Sequence, residues 1–474
     1  MEDMLSSKIM IGHKLRKLRK DLRLSQAAMA EELGISASYL NLLENNMRPV
    51  TVQLLFKLGQ TYDIDLKDMA EDDSAKLTAQ LIEIFADPIL SEQSFSRRDI
   101  QQLAQHQPNA AQAIIALHES YEAMKSAAQQ GKDGLEKRTL PRPIEDVRRF
   151  LEARENHFPT LEDAATKARK SADIQPGQSF SNLSAYMQKS FQMRVRIMPS
   201  DVMGHLLVHH DPHRGHLLLS EILEEPQRIF HLAAQLARHG YREVIQEIVD
   251  EANFDNSQSS HLLQNALAGY FAGAVMMPYE SFLQSARQTR HDIDLLGKRF
   301  SASFEQICHR LTTLNRPSDR GIPFFFLRVD EAGYITKRLS GGGIEFARHG
   351  GACGRWVPHH AFRLPGSLHT QLVELEEGQR FFTLARTVVQ PNTGPSHHGR
   401  PLSAVALGCE LKHAKDIAMA DQLLGPKNPA LTPIGLACQL CDKSDCQHRG
   451  APPLGRALRF DPFRRQSGLF DFGA

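Results

Sequence analysis

Apolar positions recur with helical spacing along the first part of the chain. Ile11, Leu15, Leu18 and Leu22 fall at i, i+4, i+7 and i+11, which predicts a helix with one apolar face. From Leu24 to Ile64 the pattern predicts further short helices. Ser25 caps one that runs through Leu33, Gly34 supplies a tight turn, and Ser36 caps a second carrying Tyr39, Leu40, Leu43 and Glu44. Ala30, Ile35 and Leu40 are placed to pack between the two. Residues 71–140 hold amphipathic stretches broken at Pro88 and Pro108, and Gly131–Pro143 reads as an exposed linker. This segment is expected to be a helical connector and a candidate dimerisation element.

Beyond it the periodicity is mixed. A helix is expected near Ile144, and Met193–Pro199 alternates as a strand does. His205–Ser220 reads as two strands around an Asp-Pro-His-Arg-Gly turn. A helix ending at Gly240 follows, then one that is apolar nearly all round and stops at Pro278. After residue 311 glycine, proline and short β-like runs increase, with strands expected in IPFFFLRVD and RFFTLARTVVQ and a glycine-rich loop between them. The fold class expected is multidomain: an α-helical N-terminal helix-turn-helix (1–70), the connector (71–143), an α+β middle domain (144–310) and a β-rich α+β C-terminal domain (311–474).

Composition changes this picture little. The 474 residues suggest about three domains. Hydrophobic residues at 41% and charged residues at 23% suit a globular chain. Lys and Arg number 56 against 55 Asp and Glu, so nucleic-acid binding must come from a local patch. Residues 8–23 supply one, with Lys8, Lys14, Arg16, Lys17, Arg19, Lys20 and Arg23 against a single acid, Asp21. The N-terminus lacks the apolar core of a secretory signal. The longest nearly apolar stretch, Ala266–Tyr279, is too short to span a bilayer. A cytoplasmic protein is therefore expected.

Three sets of motifs carry the chemistry. S-Q-x-x-x-A from Ser25, the Gly34 turn, L-N-x-x-E from Leu40 and Arg48-Pro49 stand in register, and together they resemble the Xre/Cro-type helix-turn-helix family. That resemblance implies that Gln26 touches phosphate or base. It also implies that Ser36, Ala37, Ser38, Tyr39 and Asn41 face the major groove, that Arg48 contacts the backbone, and that the protein reads a double-stranded operator as a homodimer.

In the middle region, FHLAAQLARHG and the helix ending Met276-Met277-Pro278 resemble the ImmA/IrrE-type metallopeptidase domain. That family carries H-E-x-x-H, in which two His bind zinc and the Glu is the general base. Here Ala234, Gln235 and Arg238 stand at those positions, and Asn265 and Leu267 stand where a third ligand would come. A zincin-like scaffold without hydrolysis, a pseudo-metallopeptidase, is expected. His205, His209, His210, His213 and His216 crowd the hairpin, where alternation would turn several to one face.

Finally, Arg148–Ala165, Tyr270–Leu283, Arg310–Arg338, Arg348–Gly366, Ala406–Ala414 and Ile434–Pro453 together resemble the short-chain fatty acyl-CoA transcriptional regulator family over nearly the whole chain. The sequence departs from that family's pattern at Tyr334 after Gly333, and at Cys353-Gly354-Arg355-Trp356, where Cys-Pro is usual. The resemblance implies a regulator of acetate- or propionate-type metabolism whose effector is a CoA thioester such as propionyl-CoA. Such a ligand needs cations for its phosphates and an apolar slot for its acyl group. Arg328, Lys337, Arg338, Arg348 and Arg355 are the candidate cations, and Phe324, Phe326, Phe346 and Trp356 the candidate apolar surface.

Cys438-x-x-Cys441-x-x-x-x-Cys446 sets three thiols in nine residues, with Cys409, Cys353 or His448 as a fourth ligand for zinc or an iron–sulfur cluster; free thiols are the alternative. Two other functions stay open at this point, a metal- or redox-sensing regulator and an active metallopeptidase regulator. No nucleophile elbow or dinucleotide-binding glycine motif is present.

Overall fold

The computed structural model describes residues 15–16, 18–19, 24–44, 47–48, 50–62, 74–87, 95–129, 143–175, 178–339, 341, 353–375, 378–391, 401–425, 430–435, 438, 441, 443–453, 458–459, 463, 470 and 472. The linker 131–142 and the loop residues Phe346 and Arg348 lie outside these. The chain divides into two compact units, residues 1–139 and 140–474.

In the first unit, helices Gln26–Glu32, Ala37–Glu44 and Val52–Tyr62 follow the expected signals. Ser25 Oγ accepts from the Ala28 N–H at 3.1 Å, and Ser36 Oγ from the Tyr39 N–H at 3.1 Å. Gly34 makes the turn between them at φ +61°, where a side chain would be strained. Leu15, Met29, Ala30, Leu33, Leu40, Leu43, Val50, Leu54 and Leu58 form the core, with Ile35 at its margin. Helices Ser74–Phe85, Arg97–His106 and Pro108–Gln129 follow and share a smaller core of Leu77, Leu81, Ile100, Ala104 and Ala111. Pro108 opens the last of these helices, a position where its missing N–H costs nothing.

The second unit begins with helices Pro143–Ala153, Pro159–Ser171 and Ser179–Phe191. Strands β1 (Arg194–Met198), β2 (Val208–Asp211) and β3 (His216–Ser220) form a small sheet in the order β1-β3-β2. Helices Glu225–Gly240, Arg242–Ala252 and Ser257–Met276 pack behind it. The last is the one read as apolar all round, and Leu263, Leu267, Ala268, Phe271 and Ala272 are each fully buried. Helices Tyr279–Gln288, Ile293–Phe300 and Phe304–Leu311 lead into the second sheet.

That sheet has β4 (Phe325–Asp330), β5 (Ile335–Leu339), β6 (His369–Glu374), β7 (Arg380–Val389), β8 (Leu402–Glu410) and β9 (Thr432–Pro433) in the order β5-β4-β8-β7-β6-β9. All pairs are antiparallel except β6–β9. Alternation gives the sheet two buried faces. Phe326, Leu372, Phe382, Leu384, Val405, Leu407 and Cys409 join the core of the preceding helices. Phe325, Leu327, Val373, Phe381, Ala385, Ala404 and Ala406 face the other way, onto Trp356 and Val357. Gly408 lies opposite Phe325 in register, and a Cβ there would stand 2.3 Å from the Phe325 ring. The border expected at 310/311 therefore runs through a shared core.

A buried ion pair sits at that border. Arg310 is 2% exposed and grips Glu162 with two bonds, Nη1 to Oε1 at 2.7 Å and Nη2 to Oε2 at 2.9 Å. Its Nε donates to the Met277 carbonyl at 2.9 Å. The Tyr270 hydroxyl donates to Glu162 Oε1 at 2.6 Å. Burial opposes the Glu162 charge, but the Arg310 charge and the hydrogen bonds outweigh it and hold the carboxyl below its usual range.

Glu162→Ala strands the Arg310 cation, and we expect a loss of about 3–5 kcal/mol in urea unfolding. The sign of the pH effect follows from the lowered carboxyl. Its contribution is complete above the ordinary carboxylate value of 4.5 and is lost as the pH falls through the folded-state value. Acidification should therefore cost the native protein more stability than Glu162→Ala, which has no carboxylate to protonate. An equal acid slope in the two would refute the assignment.

Candidate functional site

The helix Ala37–Glu44 presents Ser36, Ala37, Ser38 and Asn41 as exposed residues, with Arg48 also exposed just beyond it. Tyr39 is half-buried and leans on the core. Gln26 sits at the start of the preceding helix and donates to Asn41 Oδ1 at 3.3 Å and to Glu44 Oε2 at 2.8 Å. Glu44 is the hub of this face. Its side chain is 0% exposed and accepts from Arg19 Nε at 2.5 Å and Nη2 at 3.0 Å, with Arg16 Nε at 3.7 Å. Burial works against its charge, but Arg19, Gln26 and Arg16 hold its carboxyl below the usual range. Arg19, read from sequence as part of a basic face, is thus the internal counter-ion that fixes the exposed helix. Sequence reasoning missed this role because the partners lie 25 residues apart.

The three positions that would hold a peptidase's zinc and base lie on helix Glu225–Gly240. Ala234 is buried, Gln235 half-buried and Arg238 exposed. Arg238 Nη2 donates to Asn265 Oδ1 at 2.9 Å, so the residues at the second and third ligand positions bond to each other. The hairpin histidines diverge. His209 is exposed, while His210 packs edge-on against His239 with ring centroids 4.7 Å apart.

Among the described residues, those proposed to cradle a CoA thioester are divided between the two faces of the second sheet. Phe324 and Phe326 are 2% and 0% exposed and belong to the helix-facing core. Trp356 is 1% exposed and lies under the opposite face of the sheet. Arg328 is engaged by Glu305 at 3.1 Å and bonds Thr336 Oγ1 at 3.0 Å. Arg338 stands 3.9 Å from Glu145. Lys337 reaches over the Phe326 ring at 5.7 Å, and burial pushes its ammonium down to about 8. Arg355 is half-buried beside Trp356. Alternation along β4 and β5, together with acids on the helices below, separated and neutralised a set that looked continuous in sequence.

The cysteines are also sorted by the sheet. Cys409 is 0% exposed in the helix-facing core, and burial pushes its thiol up to about 12. Cys353 lies in the opposite core with Trp356 and Ile434. Ile434 comes four residues before Cys438, and His448 acts on His360 in the short helix Val357–His360 next to Trp356. Cys409 and Cys353 thus lie in the cores on opposite faces of the sheet.

A residue that sequence reasoning passed over shapes this loop. Arg449 is 3% exposed and donates to the carbonyls of Cys438 (2.6 Å), Cys441 (2.6 Å) and Lys443 (2.9 Å), with its guanidinium 4.6 Å from the Phe472 ring.

A capped and turned helix pair with an exposed second helix, joined to a zincin-like scaffold and a sheet domain, defines a helix-turn-helix transcriptional regulator. Comparisons agree along the chain. Residues 15–69 match the helix-turn-helix family, 188–312 the IrrE N-terminal-like domain, and 313–470 the short-chain fatty acyl coenzyme A regulator C-terminal domain. The propionyl-CoA carboxylase regulator of Cereibacter sphaeroides is 35% identical over 97% of this chain and 98% of its own. The HTH-type transcriptional regulator RamB of Mycobacterium tuberculosis is 34% identical over 97% and 98%. A solved Mycobacterium tuberculosis transcriptional regulator superposes with a TM-score of 0.66 at 34% identity, covering 70% of this chain and all of its own. The protein belongs to the short-chain fatty acyl-CoA regulator family.

Glu44→Ala leaves Arg19 and Gln26 without their common acceptor, and we expect it to destabilise the N-terminal unit by roughly 3 kcal/mol. Asn41→Ala, on the exposed face, should stay within about 0.5 kcal/mol of the parent. Thermal unfolding of the two variants side by side checks both, and similar losses would place Glu44 outside the role given it here.

Proposed function

We propose that this regulator binds its operator as a homodimer in the cytoplasm, through Gln26, Ser36, Ala37, Ser38, Tyr39, Asn41 and Arg48, and that a short-chain CoA thioester is its effector. The observation that supports this most is the similarity over nearly the full chain to a relative named for propionyl-CoA carboxylase regulation, extending through a C-terminal domain of the same family. Among the described residues no helix is long and apolar enough to cross a membrane. Lys337 and Arg355 remain candidate phosphate contacts, with Phe346 and Arg348 outside the described residues. The effector binds one arrangement of the regulator better than another and shifts the population between them. Ala234, Gln235 and Arg238 support the reading that the middle domain is a scaffold without peptidase activity.

A thermal-shift panel of free CoA and of acetyl-, propionyl- and longer acyl-CoAs tests the effector. Ligand at 100 times its Kd should add about 2.7 kcal/mol of stability. A preference for short chains is expected, and a flat panel would overturn the assignment. On the DNA side, Arg48→Ala should weaken operator binding and lower the slope of log K against log salt by about one, because it removes one phosphate contact.

Arg449 favours a second reading of the C-terminal loop. Its guanidinium draws in the carbonyls of Cys438 and Cys441 and so fixes the thiol-bearing turn. Cys438, Cys441 and Cys446, with Cys409 or Cys353, would hold zinc or an iron–sulfur cluster, which would supply a metal- or redox-dependent brace there. Metal and sulfide analysis of protein purified without air decides it; metal-free, sulfide-free protein would leave the effector reading alone.

A further inference from the structure

Three side chains with metal-ligand chemistry converge in the N-terminal unit, apart from the helix-turn-helix and the cysteines. Helix Ser74–Phe85 ends, and Asp87 follows with its N–H bonded to the Ile84 carbonyl at 3.0 Å. His118 and Glu122 lie four residues apart on helix Pro108–Gln129, which sets them on one face. One ligand atom from each of Asp87, His118 and Glu122 lies within 4.8 Å of the other two, and all three residues are half-buried. His118 Nε2 stands 3.1 Å from Asp87 Oδ2.

These dimensions suit a single ion. Ligand nitrogen and oxygen atoms lie about 2.0–2.2 Å from zinc, so neighbouring ligands around it stand roughly 2.8–3.6 Å apart between octahedral and tetrahedral angles. The His118–Asp87 separation falls in that range. The donor set also discriminates. An imidazole with two carboxylates suits borderline first-row ions, whereas calcium and magnesium favour oxygen alone. The position of Asp87 adds an electrostatic reason. It lies beside the C-terminal carbonyls of its helix, the negative end of the dipole, where a cation is favoured and a lone carboxylate is not.

We propose that Asp87, His118 and Glu122 form a binding site for a divalent first-row transition ion such as Zn²⁺. The ion would clamp the end of helix Ser74–Phe85 to helix Pro108–Gln129, joining residues 31 positions apart in the same compact unit as the helix-turn-helix. Its remaining coordination positions are filled by water. Occupancy would stiffen the helical segment that follows the DNA-reading domain.

The test is a titration of the chelator-stripped full chain with Co²⁺ as a spectroscopic reporter. The parent is compared with Cys438→Ser/Cys441→Ser/Cys446→Ser and with the same triple variant carrying His118→Ala or Glu122→Gln. The triple variant should keep one site, seen as Co²⁺ ligand-field bands of nitrogen and oxygen donors. Glu122→Gln keeps the shape and the His118–Asp87 bond, and should weaken that site by about tenfold or more. His118→Ala should abolish it, and Zn²⁺ should raise the melting temperature of the triple variant but not of the His118→Ala form. If His118→Ala fails to fold, the Glu122→Gln comparison decides alone. A triple variant that binds no Co²⁺, or one whose binding is unchanged by Glu122→Gln, would overturn the proposal and leave His118–Asp87 as a simple ion pair between helices.

Discussion

The Arg310–Glu162 pair is the constraint on which the second unit depends. Taking both charges out of water costs several kcal/mol per ion, and only a complete set of partners offsets that. The set is drawn from across the chain: Glu162 on helix Pro159–Ser171, Tyr270 and the Met277 carbonyl at the end of the long buried helix, and Thr313 just past Arg310. Arg310 also lies over the Tyr270 and Tyr279 rings at 5.8 and 5.9 Å. Each of these must be in place before the pair can be buried. The pair thus fixes where helix Phe304–Leu311 ends, and so where the chain enters β4.

From that point the sheet is fastened to the helices by a second tier of ion pairs. Arg328 meets Glu305, Arg386 grips Asp294 through two bonds at 2.7 and 2.8 Å, and Arg290 holds Asp421. Arg328 and Arg386 both lie across from Val405 in the ladder, so two cations point from one row of the sheet toward acids on the helices. These outer pairs are more exposed than Arg310–Glu162 and each contributes little alone. Their effect is geometric. Together with the shared apolar core beneath them, they fix the sheet against the helices.

How much of this was legible in the sequence depends on range. The helix-turn-helix was readable to the residue because caps, a glycine turn and apolar spacing are local signals. The hairpin at 208–220 and the buried helix ending at Met276 were readable for the same reason. What could not be read is which face of a strand meets which partner. Cys409 and Cys353 were both candidates beside the Cys438–Cys446 loop, and only the fold shows that they lie on opposite faces of the sheet. The partners of two candidate effector cations were likewise hidden, since Glu305 and Glu145 come from helices 23 and 193 residues before Arg328 and Arg338. Arg19 and Arg449 went unread because a buried cation and a surface cation have the same letter.

In the zincin-like domain the positions of the peptidase motif and the packing that supports the sheet lie on different helices. Catalysis needs a few polar groups at the surface of helix Glu225–Gly240, and those positions now hold Ala234, Gln235 and an Arg238 that bonds Asn265. Of the three, only Ala234 is part of the buried core. Helix Ser257–Met276 is different: Ala268, Phe271, Ala272 and the following Met277 are 0–1% exposed, and Tyr270 and Met277 supply partners to the buried ion pair. Losing this helix would strand Glu162 and Arg310 and release the sheet. The domain is therefore held in place by what it supports.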